Sequence, residues 1–275
     1  MSFRNTVLPL IIAASLAAMM PANAAETAQP QYTPMPGQKG KDVVWIPSPE
    51  LMVGKMLDMA QVTAQDFVID LGSGDGRNVI AAARRGARAL GVEYNPDLVA
   101  FARRNAAQAG VAERAAFVQG DMYEADISQA SALILFLIPM NLTKLAPKFV
   151  ALKPGTRIVS NTYEIGGGWE PDATDRLQPC LTWCVAYLYI VPAKVEGTWR
   201  LPDGELTLEQ SYQKVTGTRE LDGIYLPVEN GVLRGNEIHF TVNAVEYTGH
   251  VNGNSMEGEA KGRVPFTWTA TRMTD

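Results

Sequence analysis

Asp70-Leu71-Gly72-Ser73-Gly74-Asp75-Gly76-Arg77 is the stretch on which the reading of this chain turns. The apolar run Phe67-Val68-Ile69 before it reads as a short strand. After it, Arg77 to Arg85 reads as a helix stopped by Gly86. Strand, tight glycine turn and helix in succession bring the free N–H groups of a helix start to the end of a strand. Gly72 and Gly74 let a ligand approach the backbone where any side chain would block it.

The pattern repeats outward from there. Ala87 to Glu93 reads as a second strand, and Asn95-Pro96-Asp97 is a strong helix start, with Leu98, Val99, Phe101, Ala102 and Ala106 at helical spacing up to Gly110. Ala116-Phe117-Val118 is a third strand ending at Gly120-Asp121. Ala132 to Leu137 is a fourth, fully apolar and so central. Leu142, Leu145 and Phe149 mark a helix, and Thr156 to Ser160 a fifth strand. Upstream, Ser48-Pro49-Glu50 predicts a helix capped by Ser48, with Leu51, Met52, Met56 and Met59 as its apolar face. Repeated strand–helix units with apolar strands predict an α/β fold: a Rossmann-like, doubly wound, mostly parallel sheet covered on both faces. Trp183 to Val191 is expected as its long last strand, at an edge.

Ligands of such sheets bind beyond the carboxyl ends of the strands. Glu93 ends the second strand, 21 residues after Gly72, where a carboxylate can accept both hydroxyls of a ribose. Asp121 ends the third strand, where it can receive an adenine amino group with Met122 against the ring. The dinucleotide pattern G-x-G-x-x-G is not met, because its third glycine would fall on Arg77; the spacing is G-x-G-x-G.

The run Asp70 to Arg77, with Glu93 and Gly120-Asp121, resembles the S-adenosylmethionine (SAM)-binding motifs of class I methyltransferases over about residues 44–192. The resemblance implies SAM as cofactor, held by Asp70, Gly72, Ser73, Gly74, Gly76, Glu93, Asp121 and Met122, with Asp70 holding the loop amides or meeting the methionine ammonium. Val44-Trp45-Ile46-Pro47-Ser48-Pro49 and Ser160-Asn161-Thr162-Tyr163 add a resemblance to a small lysine N-methyltransferase family whose eukaryotic members modify mitochondrial inner-membrane proteins. It implies N-methylation of a protein lysine or other amine. Leu137, Ile138 and Pro139, then Asn161, Thr162, Tyr163 and Glu164, would line the acceptor side. Asn161, Tyr163 and Glu164 are the catalytic candidates, Tyr163 packing on the acceptor and Glu164 orienting an amine; each can equally be a strand terminator. Trp169 is a looser candidate. His239 and His250, the only histidines, fall outside this region, which leaves it no Ser-His-Asp site and no typical histidine metal site.

At the N-terminus, Arg4, the uncharged run Thr6 to Met20 and the triplet Ala22-Asn23-Ala24 have the grammar of a secretory signal peptide, residues 1–24, cleaved after Ala24. The apolar run, about 15 residues, is short for a span, which needs roughly 20. No stable membrane span is expected after cleavage, and the mature chain is expected in the periplasm or secreted. Residues 25–44, rich in Pro, Gln and Gly, read as a linker. Cys180 and Cys184 form one disulfide if a turn joins them, and two small buried residues if a strand does.

With 47% hydrophobic and 19% charged residues, the chain can bury a globular core. Its net charge of −5, with 12 acids against 7 bases in residues 195–275, shows no basic patch, so nucleic acid is not the expected partner. Residues 45–193 are taken as the SAM-binding domain. From residue 194 the texture changes: Asp203-Gly204, Asp222-Gly223, Asn230-Gly231 and Asn252-Gly253 punctuate alternating runs such as Ile238-Phe240-Val242. Residues 194–275 are thus expected as a small all-β meander of seven or eight strands, barrel-like or a sandwich, supporting the substrate side. Two readings compete with the enzyme: an exported SAM- or nucleoside-binding protein without turnover, and a β-domain interaction protein on a methyltransferase-like scaffold.

Overall fold

The computed structural model describes Met1, residues 32–42 and residues 44–273. The expected leader over residues 1–24, beyond Met1, and the linker up to residue 31 lie outside the described residues.

Five parallel strands make up most of the first sheet: β1 (Phe67–Leu71), β2 (Arg88–Glu93), β3 (Ala115–Gln119), β4 (Ala132–Leu135) and β5 (Arg157–Asn161). With β6 (Ala173–Arg176) and β7 (Val185–Ile190), the spatial order is β3-β2-β1-β4-β5-β7-β6, β7 running antiparallel to both neighbours. The expected doubly wound, mostly parallel sheet is present, and all four residues of central β4 are buried.

Strand alternation sends side chains to two cores. Val68, Ile134 and Val159 pack with α1 (Glu50–Met59), α2 (Arg77–Arg84) and α3 (Pro96–Gln108). Ile69, Leu71, Leu133 and Leu135 pack with α4 (Pro139–Phe149) on the other face. Each fully buried aliphatic side chain contributes about 1.5–3 kcal/mol relative to exposure. Helix α3 begins as predicted, with the Asn95 side chain accepting from the Asp97 N–H at 2.9 Å and Pro96 in the first turn.

Three expectations change. Helix α1 starts one residue later, with Pro49 in the capping position and no side-chain cap, because the Ser48 Oγ accepts instead from Asn161 Nδ2 at 3.3 Å. Its buried stripe is Met52, Val53, Met56 and Leu57, while Leu51 is 70% exposed. Strand β7 is interior rather than an edge: β6, whose four residues are all exposed and show no apolar alternation, covers it. The end of the presumed linker is also structured. Gly37 N–H donates to Trp45 O and Trp45 N–H to Gln38 O, so that residues 37–38 and residue 45 pair as the two sides of a strap.

Eight strands close the second sheet into a barrel: β8 (Gly197–Leu201), β9 (Gly204–Ser211), β10 (Lys214–Leu221), β11 (Ile224–Arg234), β12 (Glu237–Val242), β13 (Val245–Asn252), β14 (Ser255–Lys261) and β15 (Phe266–Arg272). Its interior is filled. Phe240 stacks on Tyr247 with centroids 4.8 Å apart, and Trp268 meets both edge-on. The barrel docks beside the starting end of β5: Ala193 N–H donates to Gly235 O, and Gly235 sits against Gly155 and Ile190. Tyr212 stacks on Trp169 with centroids 5.3 Å apart, and Gln213 Nε2 donates to Glu170 O.

Candidate active site

At the carboxyl ends of β1, β2 and β3 the backbone does what the glycine pattern implied. The amides of Gly72 and Ser73 both donate to Val92 O, drawing the loop onto β2. Gly74, at φ +53°, passes so close beneath the Trp45 indole that a Cβ would lie 2.2 Å from Nε1, so any side chain there would have to displace the ring. Gly76 turns the chain into α2 against Phe117 and does not face the cleft.

The acids differ in what holds them. Glu93 is clamped at both oxygens, by Gly74 N–H and by Asn95 N–H, each at 2.9 Å, and its side chain lines the cleft. Asp121 Oδ1 accepts from Tyr123 N–H at 2.9 Å; its Oδ2 accepts from Lys41 Nζ of the strap, whose ammonium also lies 5.0 Å from the Tyr94 ring centroid. The Lys41 hydrogen bond holds the Asp121 carboxyl below its ordinary range, and Asp121 holds Lys41 above its own. Asp70 is buried and accepts from Asn78 Nδ2 at 3.1 Å. Burial pushes its carboxyl well above the usual carboxylate range; the Asn78 hydrogen bond opposes the push, and the negative Glu93 and Asp75 add to it.

Glu93 and Asp121 border one cleft of about 1020 Å³, its open mouth included. Gly72, Glu93, Asp121 and Met122 line one part with their neighbours on β2 and α3, Phe136, Leu137, Ile138, Tyr163 and Trp183 line another, and the strap lines a third. A smaller recess is bordered by Trp45, Ser48, Asp70, Ser73, Asn78 and Phe136. Ser73 Oγ and Asn78 Oδ1 are buried there without a hydrogen-bond partner. Orphaned buried polar atoms cost free energy unless a ligand satisfies them. A cleft with clamped acids for a nucleoside, beside a polar recess for an amino-acid end, fits SAM.

Of the three catalytic candidates, Tyr163 alone lines the cleft. Asn161 is fully buried; it donates to Ser48 Oγ and accepts from Thr162 Oγ1 at 2.9 Å, tying β5 to the start of α1. Glu164 is exposed and is not part of the lining. Trp169 is 2% exposed, packed between Tyr189 and Tyr212. The barrel contributes no residue to the lining of the cleft, whose last residue is Trp183. Sequence reasoning missed Phe136, Trp45 and Trp183. Trp183 was signalled by its place inside Cys180-Leu181-Thr182-Trp183-Cys184, which the structure closes with a disulfide.

Strand order, glycine loop and acid-tipped strands define a class I SAM-dependent methyltransferase. A family model for the ANTKMT methyltransferase domain matches residues 70–173. A protein-lysine N-methyltransferase of Saccharolobus islandicus is 40% identical over 152 residues, 54% of this chain and 94% of that protein. The mouse (Mus musculus) adenine nucleotide translocase lysine N-methyltransferase is 37% identical over 117 residues, 40% of this chain and 51% of the relative. The chain thus spans about half the length of that mouse relative. Among solved structures, an RNA methyltransferase from Salinibacter ruber, bound to S-adenosyl-L-homocysteine, is 45% identical with a TM-score of 0.52, covering 55% of this chain and 96% of that one. The chain belongs to the protein-lysine N-methyltransferase family represented by the Saccharolobus islandicus protein, and it is a SAM-dependent enzyme.

Proposed function

We propose that the protein methylates the ε-amino group of lysine in a protein partner, outside the cytoplasm. The observation that carries this reading is the continuity of the cleft, from the clamped Glu93 and Asp121 to an uncharged wall of Leu137, Ile138 and Tyr163. SAM, when bound, supplies a methyl group activated on a sulfonium sulfur. Glu93 and Asp121 are the residues that would hold its adenosyl part; Asp70, Ser73 and Asn78 would hold its amino-acid end. Asp70, buried beside Asn78 at the recess, is placed where its carboxyl can accept from the ammonium of that end. An amine acceptor must be uncharged to attack, and the apolar wall favours the neutral form by withholding water. What remains is alignment of nucleophile and methyl, which a rigid cleft provides.

The relatives named for lysine support a lysine acceptor, while the Salinibacter ruber protein is named for RNA. The net charge of −5 favours protein over a polyanion. Export is supported by the leader grammar of residues 1–24 and by the Cys180–Cys184 bridge, which suits an oxidising compartment. Among the described residues no helix is long and apolar enough to cross a membrane.

Calorimetry with SAM, followed by transfer of labelled methyl into periplasmic extract, tests the reading. We expect SAM binding that falls about 10–100-fold in Glu93→Ala, from the loss of charge-assisted hydrogen bonds, and label in protein lysine. Binding without transfer would favour a binding protein, label in RNA would replace the acceptor, and no binding at all would leave a scaffold.

A further inference from the structure

We propose that Trp183, presented by the Cys180–Cys184 ring, forms with Phe136 and Tyr163 an aromatic wall that receives the cationic side chain of the acceptor. The inference rests on the methyltransferase reading and deepens its acceptor side.

Three adjacent strands supply the wall. Phe136 directly follows β4, Tyr163 lies two residues beyond β5, and Trp183 lies two residues before β7. All three line the cleft, whereas the acids Glu93 and Asp121 stand at β2 and β3, on the other side of β1. The Phe136 and Trp183 centroids are 5.3 Å apart, edge to face, and Tyr163 lies 6.4 Å from Trp183. None of the three is a core residue: each is half-buried, in contrast to Trp169 and Trp199, which are 2% and 0% exposed. All three keep part of their ring surface exposed beside the cleft.

The backbone is forced into place at two points beside these rings. Thr162, immediately before Tyr163, has φ +70°, and Trp183 itself has φ +59°. Left-handed backbone is costly for a β-branched or bulky residue and persists where surrounding structure imposes it, most often at functional sites. Thr162 is held by its N–H to Val185 O at 2.6 Å and its hydroxyl to Asn161. Around Trp183 the bridge closes a five-residue ring, and Leu177 N–H donates to Cys184 O at 2.8 Å. Leu181 within the ring is fully exposed, so of its apolar side chains Trp183 is the one turned to the cleft.

Chemistry then points to a cation. The wall carries no carboxylate, since Glu164 faces solvent outside the lining. A lysine ammonium, and more so an alkylated one, is attracted by aromatic faces and needs no counter-charge there. Such a wall holds the amine with a weaker bias toward its protonated form than a carboxylate would give. Because the ring sets Trp183, acceptor recognition depends on the oxidised bridge while the cofactor side does not.

The test uses the full chain and two probes: Nα-acetyl-Nε-trimethyllysine amide, permanently cationic, and its uncharged tert-butyl isostere. Binding is followed by NMR, with SAM affinity measured in parallel by calorimetry. Wild-type protein should bind the cationic probe about fivefold or more tightly than the isostere. Trp183→Ala, the double variant Cys180→Ser/Cys184→Ser, and reduction by a phosphine should each remove that preference. Trp183→Phe should keep most of it, and SAM affinity should stay within about twofold throughout. Equal binding of the two probes, or an unchanged preference in Trp183→Ala, overturns the proposal. A parallel loss of SAM affinity in Trp183→Ala also overturns it, assigning the wall to the cofactor. Failure of wild-type protein to bind SAM would instead sink the methyltransferase reading beneath it.

Discussion

The α/β domain and the barrel bury different kinds of side chain. Asp70, Ser73, Asn78, Asn141, Ser160 and Asn161 are buried in the first, all but Asn141 on or beside β1 and β5. The barrel buries only Gln213, which bonds to Glu170 O of the other domain, and Arg219, paired with Asp203, among its described residues. Instead it closes over stacked rings of Phe240, Tyr247 and Trp268. Burying polar groups without partners is unfavourable, so a fold keeps them where a ligand completes them. In the α/β domain the unpartnered Ser73 Oγ and Asn78 Oδ1 border the recess, whereas the barrel, among its described residues, keeps one such atom, Arg219 Nη1, away from the cleft.

Three substitutions can break or sharpen that contrast. The largest effect is expected for Trp199→Ala. The indole is fully buried and its Nε1 donates to Val195 O at 2.7 Å, so truncation should cost about 3–5 kcal/mol of stability. SAM affinity should be unchanged wherever the variant remains folded; a matching loss in calorimetry would show that the domains do not work separately.

Asp70→Asn should move two quantities in opposite directions. Burial raises the Asp70 carboxyl above its unfolded value of 3.8, so the folded state binds more protons than the unfolded one. Its contribution to stability is therefore fully present at low pH and is lost as pH rises from that value through the raised folded one. The amide removes this loss while still accepting from Asn78. Melting curves from pH 4 to pH 8 should show a higher midpoint in the variant toward neutral pH, by roughly 2–4 °C per kcal/mol recovered, together with weaker SAM binding. Identical melting profiles would mean that the charge is not carried at a cost.

The smallest effect is expected for Lys41→Ala. The Lys41–Asp121 pair is solvent-exposed, and such pairs contribute little and are screened by salt. SAM affinity should change by less than about threefold, and less still in high salt. A larger change would make the strap a gatekeeper of the cofactor end.

The parallel strands and most helix starts were legible because buried runs such as Ala132 to Leu135 are apolar without interruption, and because Asn95-Pro96-Asp97 has a local mechanism. The cofactor side was legible for the same reason: glycines and strand-end acids have fixed meanings relative to a sheet. The acceptor side was not. Asn161 and Tyr163 are two residues apart, and whether each points into the cleft or into the protein depends on the left-handed turn at Thr162, which a threonine does not announce. Strand β6 was invisible because Ala173-Thr174-Asp175-Arg176 faces solvent throughout and is recruited by pairing with β7 alone. The strap was hidden by its Pro-, Gln- and Gly-rich composition. The Cys180–Cys184 spacing was ambiguous until the local chain path was known.

Because β15 pairs with β8, the barrel has no row of open amides and carbonyls to offer a second molecule. Among the described strands, the free borders of the molecule are the outer sides of β3 and β6. Strand β6 is four residues long, and its Asp175 is tied to Lys55. Short length and charge are what discourage one chain from extending the sheet of the next at that border.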